Sequence, residues 1–145
     1  MFAKIGAPFT VLLALFVCAL ATADEREWKA PLREARRRNP VTANEQSLDA
    51  GKRAYTKECL SCHGKTGKGD GPGAADLKLP PSDLSDSSLW TQSDGELFWK
   101  ITEGRKPMPT FAKLLSDDQR WHVVNYIRTL APKPATQAST DGDSK

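Results

Sequence analysis

The most informative residues of this chain are consecutive: Cys59-Leu60-Ser61-Cys62-His63. The two cysteines of this motif are three residues apart, so they share one face of a helix. Two thiols at this spacing can each form a thioether with one vinyl group of a porphyrin, while the histidine that follows points its imidazole at the iron. C-x-x-C-H is the attachment signature of c-type haem. The motif therefore predicts one covalent haem c, bound through Cys59 and Cys62, with His63 as an axial ligand of the iron.

Three other uses of this motif have to be weighed against haem attachment. Cys59, Cys62, His63 and His122 make up the four ligands of a structural zinc site, although adjacent ligands at positions 62 and 63 suit one tetrahedral ion poorly. A thioredoxin-like redox dithiol would lie near a βαβ pattern, and the sequence has none. A structural disulfide across such a short turn would be strained.

Met108 is the expected second axial ligand of the iron. It is the only methionine besides the initiator, and it lies between Pro107 and Pro109. Prolines on both sides stiffen the loop and can hold a thioether in place at little cost in entropy. A lone methionine can also fill a core, but its place in a loop favours the Met/His ligation that is standard for haem. His122 falls off the apolar stripe of the last helix and is expected to face solvent.

Residues 1–23 are typical of a secretory signal peptide. Lys4 precedes an apolar run from Val11 to Leu20, and Ala21 and Ala23 offer the small side chains of a cleavage site. The run is short for a membrane span of about 20 residues, so cleavage is favoured over an uncleaved anchor, and no stable membrane span is expected afterwards. Cys18 belongs to this apolar leader. The sequence therefore predicts a periplasmic protein.

The composition of the rest of the chain predicts a core that is too thin to hold a fold alone. The leader contains 18 of the 56 hydrophobic residues among 145, which leaves 38 in the other 122. That is about 31%, against about 45–50% in typical globular chains. The formal net charge is only +3, whereas nucleic-acid binding usually needs a strongly basic face. A bound group has to supply buried apolar mass, and no nucleic-acid partner is expected.

Three helices are predicted between residues 47 and 131. Their expected N-caps are Ser47, Ser93 and Ser116, and the last two have Glu96 and Gln119 at the capping-box position. The second helix is expected to end at Gly104, and the third is stopped by Pro132. The residues expected to face inward are Leu48, Gly51, Tyr55, Leu97, Phe98, Ile101, Trp121, Val124, Ile127 and Leu130. Nothing in the sequence resembles a strand, so the fold class is all-α.

The chain divides into four parts. Residues 1–23 are expected to be a signal peptide, 24–46 a polar N-terminal extension, 47–131 the folded domain and 132–145 a disordered C-terminal tail. Residues 64–89 are rich in Gly, Pro, Asp and Ser and are predicted to be loop. The extension carries a basic run, Arg36 to Arg38. It is expected to drape over the domain as a solvated segment, with a partner-docking arm as the alternative.

Five features in this order resemble a bacterial monohaem class I cytochrome c over residues 47–131. They are Gly51-x-x-x-Tyr55, the Cys59–His63 motif, Gly69-Asp70-Gly71-Pro72, Pro107-Met108-Pro109 and the last helix with Trp121 and Tyr126-Ile127. The resemblance implies a small class I cytochrome c fold, in which about three main helices and long loops wrap one haem. It implies that the first and last helices cross closely, with Gly51 against Tyr126 or Trp121.

The resemblance also implies details of the haem site. A proline carbonyl after the motif should accept the Nδ1–H of His63, and Pro72 is the candidate, with Pro80 and Pro81 as alternatives. The haem should be lined by the last helix and by Leu77, Leu79, Leu84, Phe98, Ile101 and Phe111. Arg105 or Trp90 is a candidate partner for a haem propionate, with a surface charge as the alternative for Arg105 and a core aromatic as the alternative for Trp90. Arg105, Lys106 and Lys113 flank the methionine loop, Pro107-Met108-Pro109, and predict a basic docking rim.

The function implied is one-electron transfer rather than enzyme catalysis, because iron with both His63 and Met108 bound has no vacant position. The protein is expected to act as a periplasmic carrier between a donor dehydrogenase and an acceptor oxidase or reductase. A haem c subunit of a larger periplasmic or membrane oxidoreductase is the alternative. An enzyme or gas binder in which Met108 is displaced is the third interpretation.

Overall fold

The computed structural model describes residues 28–133, so the predicted leader, residues 24–27 and residues 134–145 lie outside the described residues. Its helices are α1 Leu32–Ala35, α2 Glu45–Glu58, α3 Leu60–His63, a 3₁₀ helix Ser87–Thr91, α4 Asp94–Glu103 and α5 Asp117–Arg128. Residues 28–133 contain no strand, only an isolated bridge between Arg105 and Met108. The predicted all-α cytochrome c-like fold with three main helices, α2, α4 and α5, is confirmed.

The start of α2 differs from the prediction. Asn44, not Ser47, is the N-cap, and its side chain accepts a hydrogen bond from the Ser47 backbone N–H at 2.9 Å. Ser47 lies in the first turn of the helix and is 2% exposed. Its hydroxyl is hydrogen-bonded to side chains of α5, because α5 covers this face of α2.

The starts of α4 and α5 agree with the sequence. The Ser93 hydroxyl accepts a hydrogen bond from the Glu96 backbone N–H at 3.1 Å. At α5 both bonds of the capping box form: the Gln119 N–H donates to Ser116 Oγ at 3.2 Å, and the Ser116 N–H donates to Gln119 Oε1 at 2.9 Å. Helix α5 ends at Arg128, one turn before Pro132.

Helices α2 and α5 cross at Gly51, as predicted. A Cβ at Gly51 would overlap the backbone carbonyl of His122 and lie 2.8 Å from the Cβ of Tyr126. Tyr126 is therefore the residue at the crossing, and its ring packs against that of Tyr55 with centroids 5.2 Å apart. Trp121 instead stacks on Phe98 of α4, with centroids 4.0 Å apart. Only glycine allows the two backbones to approach this closely.

Replacement of Gly51 by alanine is expected to destabilise the fold by about 1–3 kcal/mol. The added methyl group has no space unless α2 and α5 separate, and this loss outweighs the gain in helix propensity. Denaturant unfolding of the two proteins measures the difference. The matched control is Lys52→Ala at the next, exposed position of α2, which should change stability by less than about 0.5 kcal/mol. Equal stability of G51A and K52A would contradict the close crossing.

A buried polar cluster joins the extension to this crossing. The Asn125 side-chain amide donates to the Val41 carbonyl at 3.1 Å and to Ser47 Oγ at 2.8 Å. Its carbonyl oxygen accepts from the Asn39 side-chain amide at 2.7 Å. Ser47 Oγ is also hydrogen-bonded to Nδ1 of His122, at 2.9 Å. His122 is therefore half-buried and hydrogen-bonded, and the prediction that it faces solvent is wrong.

The described part of the N-terminal extension, residues 28–46, packs on the domain. Ser93 donates to the Ala35 carbonyl at 2.5 Å, and a Cβ at Gly95 would overlap the Glu34 carbonyl. The Arg37 guanidinium lies 4.5 Å above the ring of Phe98. These contacts lay the extension along α4. Among residues 28–133, no helix is both long enough and apolar enough to cross a bilayer.

Candidate haem site

The motif residues lie where α2 ends and α3 begins. Cys59 is the C-cap of α2, and the one-turn helix α3 returns the His63 N–H to the Cys59 carbonyl at 2.9 Å. Gly64 ends α3, and its carbonyl accepts the Tyr55 hydroxyl at 2.7 Å. The turn presents Cys59, Cys62 and His63 to the same cavity. No disulfide bond joins Cys59 to Cys62.

The loop after the motif folds back on it through backbone hydrogen bonds. The N–H groups of Gly69, Gly71 and Gly73 donate to the carbonyls of His63, Cys62 and Ser61, at 2.9, 3.1 and 2.8 Å. These bonds hold the first part of the loop against the backbone of α3. Pro72 is exposed and lies outside the lining of the cavity.

His63 finds its hydrogen-bond partner later in the loop. Its Nδ1 lies 3.3 Å from the carbonyl oxygen of Ser82, which directly follows Pro80 and Pro81. The assignment of this role to Pro72 is wrong, because the glycine-rich turn holds Pro72 against α3 rather than against the imidazole. Burial lowers the pKa of His63, and the bond to Ser82 offsets part of this effect. A neutral imidazole that donates through Nδ1 leaves Nε2 free to bind a metal.

The cavity has a volume of about 520 Å³, within the usual range for ligand pockets. Most of its wall is apolar. Of the predicted lining, Leu77, Leu79, Leu84, Ile101 and Phe111 are present, and the last helix contributes Val123 and Ile127. Phe98 is not part of the wall, because it lies on the face of α4 that stacks on Trp121. Trp28, from the extension, lines the cavity although no pattern in the sequence indicated it.

Met108 lines the same cavity from a loop that is anchored to α4. The Met108 N–H donates to the Arg105 carbonyl at 2.9 Å, and the Phe111 N–H donates to the Ile101 carbonyl at 3.2 Å. Thr110 Oγ1 donates to the Thr102 carbonyl at 2.6 Å. The Lys106–Pro107 peptide bond is cis. The segment that contains Met108 therefore leaves α4 after Glu103 and is hydrogen-bonded back to the same helix through Thr110 and Phe111.

Of the two candidates for a propionate partner, only Arg105 lines the cavity. The Trp90 indole N–H donates to the Ala131 carbonyl at 3.4 Å, and the Arg128 guanidinium lies 4.8 Å over its ring. Trp90 lies in the 3₁₀ helix and packs against the end of α5. Its assignment to a propionate is therefore wrong.

The donor set fits a c-type haem better than the alternatives. Two thiols, an imidazole and a thioether meet on one apolar cavity. Residues 28–133 contain no group of three or more His, Cys, Asp or Glu side chains that could hold a metal ion, and His122 binds Ser47, which removes the fourth zinc ligand. Burial, with smaller effects from Glu58 and Cys62, raises the pKa of Cys59 to about 12. A redox dithiol needs the opposite shift.

The fold and the cavity define a c-type cytochrome, as the sequence motifs indicated. The chain belongs to the family described as cytochrome C oxidase, cbb3-type, subunit III, whose model matches residues 46–127.

Two curated relatives carry cytochrome names. Cytochrome c550 of Pseudomonas aeruginosa is 26% identical over 100 residues, which cover 64% of this chain and 62% of that protein. Cytochrome c6 of Rippkaea orientalis is 31% identical over 81 residues, which cover 54% of this chain and 66% of that protein. The matches span less than two thirds of either relative. These relatives are cytochrome c electron carriers and not enzymes.

Solved structures resemble the same region. A chain of the Kuenenia stuttgartiensis reducing HAO-like protein complex Kustc0457/Kustc0458 matches with a TM-score of 0.57 and 33% identity, over 64% of this chain and 47% of that one. The KustC0563 c-type cytochrome matches with a TM-score of 0.50 and 24% identity, over 57% of this chain and 98% of that one. The second match supports the fold alone.

Proposed function

We propose that this protein transfers single electrons through one haem c. Cys59 and Cys62 form the thioether bonds to the haem, and His63 and Met108 are the axial ligands of its iron. The observation that carries the proposal is the meeting of both thiols, the imidazole and the thioether on one cavity of about 520 Å³. A bound haem also supplies the apolar mass that 38 hydrophobic residues among the last 122 do not provide.

When bound, the haem supplies a one-electron couple between ferrous and ferric iron. The residues of this chain hold and tune that couple. Ser82 orients the His63 imidazole through Nδ1, and second-sphere bonds of this kind set ligand orientation and basicity. The methionine loop offers a thioether, which raises the reduction potential. With both axial positions occupied by side chains, substrate chemistry at the metal is disfavoured.

The optical spectrum of the purified protein tests this ligation. Ferric protein should show the weak far-red absorption band of Met–iron ligation, and ferrous protein should bind CO slowly. Absence of the band together with rapid CO binding would favour the enzyme or gas-binding interpretation, in which the iron is open.

We place the protein in the periplasm. The support is the signal-like leader of residues 1–23 and the likeness to a bacterial cytochrome c550. Cleavage after Ala23 would start the mature chain at Asp24. N-terminal sequencing of protein recovered from a periplasmic extract tests both the compartment and the cleavage site.

A diffusible carrier between a donor dehydrogenase and an acceptor oxidase or reductase is the function we favour, since two named cytochromes are relatives. A haem c subunit of a larger oxidoreductase is the second candidate. The family description as an oxidase subunit and the match to a chain of a protein complex favour it. Purification in native buffer separates the two: elution as a small monomer supports the carrier, and co-elution with other chains supports the subunit.

The basic residues that flank the methionine loop form a rim at which an acidic redox partner would dock. Arg105, Lys106 and Lys113 are exposed. Charge reversal of the rim, Lys106→Glu with Lys113→Glu, is expected to slow electron transfer to an acidic redox protein by about tenfold at low salt. Stopped-flow rates measured at increasing salt should converge, because salt screens exposed charges.

The matched control for the rim is Lys57→Glu, whose parent side chain is 82% exposed in the last turn of α2 and does not line the cavity. It should leave the rate nearly unchanged. Rates that do not depend on salt, or an equal effect of K57E, would contradict docking at the rim.

A further inference from the structure

The N-terminal extension reaches the haem cavity, which no motif within it indicated. Its later part is fixed to α4 and α5 by Ala35 and Asn39, as described above. Between Ala35 and Trp28 the chain runs along α4 from the first residues of that helix towards its last ones. Trp28 lines the same cavity as His63 and Met108. An aromatic side chain from outside the predicted domain is thus part of the wall of the site.

Trp28 contacts three side chains. Trp99 and Lys100 lie in the last turns of α4, and Arg105 follows the end of that helix. The Trp28 ring packs against Trp99 with centroids 6.3 Å apart and the planes tilted by 57°. The Lys100 ammonium lies 5.6 Å from the Trp28 ring and the Arg105 guanidinium 5.0 Å. Both distances are within the range of cation–π attraction. Lys100 is itself fixed by Gln92 at 2.6 Å and Glu96 at 2.9 Å.

Arg105 connects Trp28 to the methionine loop. Its backbone carbonyl accepts the Met108 N–H at 2.9 Å, and the two residues form the isolated bridge of this loop. A guanidinium held over the Trp28 ring therefore restrains the residue that positions Met108. Arg105 is otherwise an exposed side chain, so without Trp28 this end of the loop would lose a packing partner.

We propose that Trp28 is a positioning residue of the haem site, which shields one edge of the cavity from water and steadies the Met108 loop through Arg105. The inference rests on the proposed function. Lower solvent exposure and firmer thioether ligation both favour ferrous iron. Loss of the ring should therefore lower the reduction potential and weaken the Met–iron bond, while the haem stays attached through Cys59 and Cys62.

The experiment compares full-length holoprotein, produced with its leader, with Trp28→Ala and Trp28→Phe. Three quantities are measured: the reduction potential, the intensity of the far-red Met–iron band, and the rate of CO binding to ferrous protein. For W28A the redox equilibrium constant should shift about threefold to tenfold towards the ferric form, the upper value being about 59 mV for a one-electron couple. The far-red band should weaken and CO should bind severalfold faster. W28F, which keeps an aromatic ring, should restore most of each property.

Leu32→Ala is the control on the same extension, because the Leu32 side chain is 74% exposed and lies outside the cavity. It should leave all three quantities at their wild-type values. The proposal is overturned if W28A matches the wild type, if W28F is as impaired as W28A, or if L32A shifts the potential as much as W28A. The wild-type spectrum tests the proposed function separately: wild-type protein with the Met–iron band and an unchanged W28A would overturn only the role of Trp28.

Discussion

Replacement of both Cys59 and Cys62 with serine is expected to give a colourless protein that is largely unfolded at room temperature. Without thioether bonds the haem is lost, and the apolar wall of a cavity of about 520 Å³ is left without a partner. The apolar side chains of the wall, Leu77, Leu79 and Leu84 among them, then stay exposed to water, and each such side chain forgoes about 1.5–3 kcal/mol of burial. Summed over several side chains, this loss is a large part of the whole stability of a domain, about 5–15 kcal/mol. Far-ultraviolet circular dichroism should show most of the helix signal lost.

Ser61→Ala is the matched control for the cysteine variant. Ser61 lies between the two cysteines and is exposed, so its replacement leaves both thiols in place. The variant should be as coloured and as helical as the wild type. A double serine variant that keeps wild-type helicity and cooperative unfolding would mean that the polypeptide forms its core without haem, against the proposal.

Replacement of Met108 with alanine is expected to leave the haem attached but to open one axial position of the iron. The thioether favours ferrous iron, so the reduction potential should fall by about 0.1–0.2 V, part of the range of about 0.8 V that axial ligands span. The far-red band of the ferric protein should disappear, and ferrous protein should bind CO rapidly. Redox titration and flash photolysis measure these changes.

Leu114→Ala provides the comparison for M108A, because Leu114 is 61% exposed, follows the methionine loop and does not line the cavity. It should keep the wild-type potential and slow CO binding. If M108A kept its potential and its far-red band, another residue would be the ligand. Residues 28–133 contain no second methionine, so the proposed ligation would then be wrong.

The features that the sequence predicted correctly depend on local chemistry. Two thiols and an imidazole within five residues are compatible with few kinds of site, so the motif alone predicted haem attachment. The N-caps at Ser93 and Ser116 depend on partners only three residues away. The spacing of apolar residues placed Gly51 on the inward face of its helix, and the resemblance placed it at the helix crossing. The close approach of α2 and α5 is the physical reason for a glycine there.

The predictions that failed depend on contacts between distant parts of the chain. Asn44 and Ser47 are both good caps, and what separates them is the burial of Ser47 under α5. Pro72 and Ser82 lie in one long loop, whose path is set by glycine N–H bonds to α3 and has no periodic signal.

The prediction for Phe98 was wrong, and Trp28 was missed, for different reasons. The first concerns the orientation of a helix face, and the second the path of the N-terminal extension. Phe98 follows Leu97 in sequence, and only the position of α5 shows that it faces Trp121 rather than the cavity. Trp28 lies in a polar segment without hydrophobic periodicity, so nothing local places it at the site. A tryptophan in a segment that is otherwise polar was the one available indication.

Mass spectrometry of the denatured protein shows whether a haem is covalently bound to Cys59 and Cys62. Protein purified from a periplasmic extract is unfolded and washed with acidified acetone, which removes haem that is not covalently bound. The washed chain is expected to stay coloured. Its mass should exceed that of the bare polypeptide by one haem, with the added mass on the peptide that contains Cys59 and Cys62. A colourless chain with the mass of the bare polypeptide would contradict covalent attachment of haem.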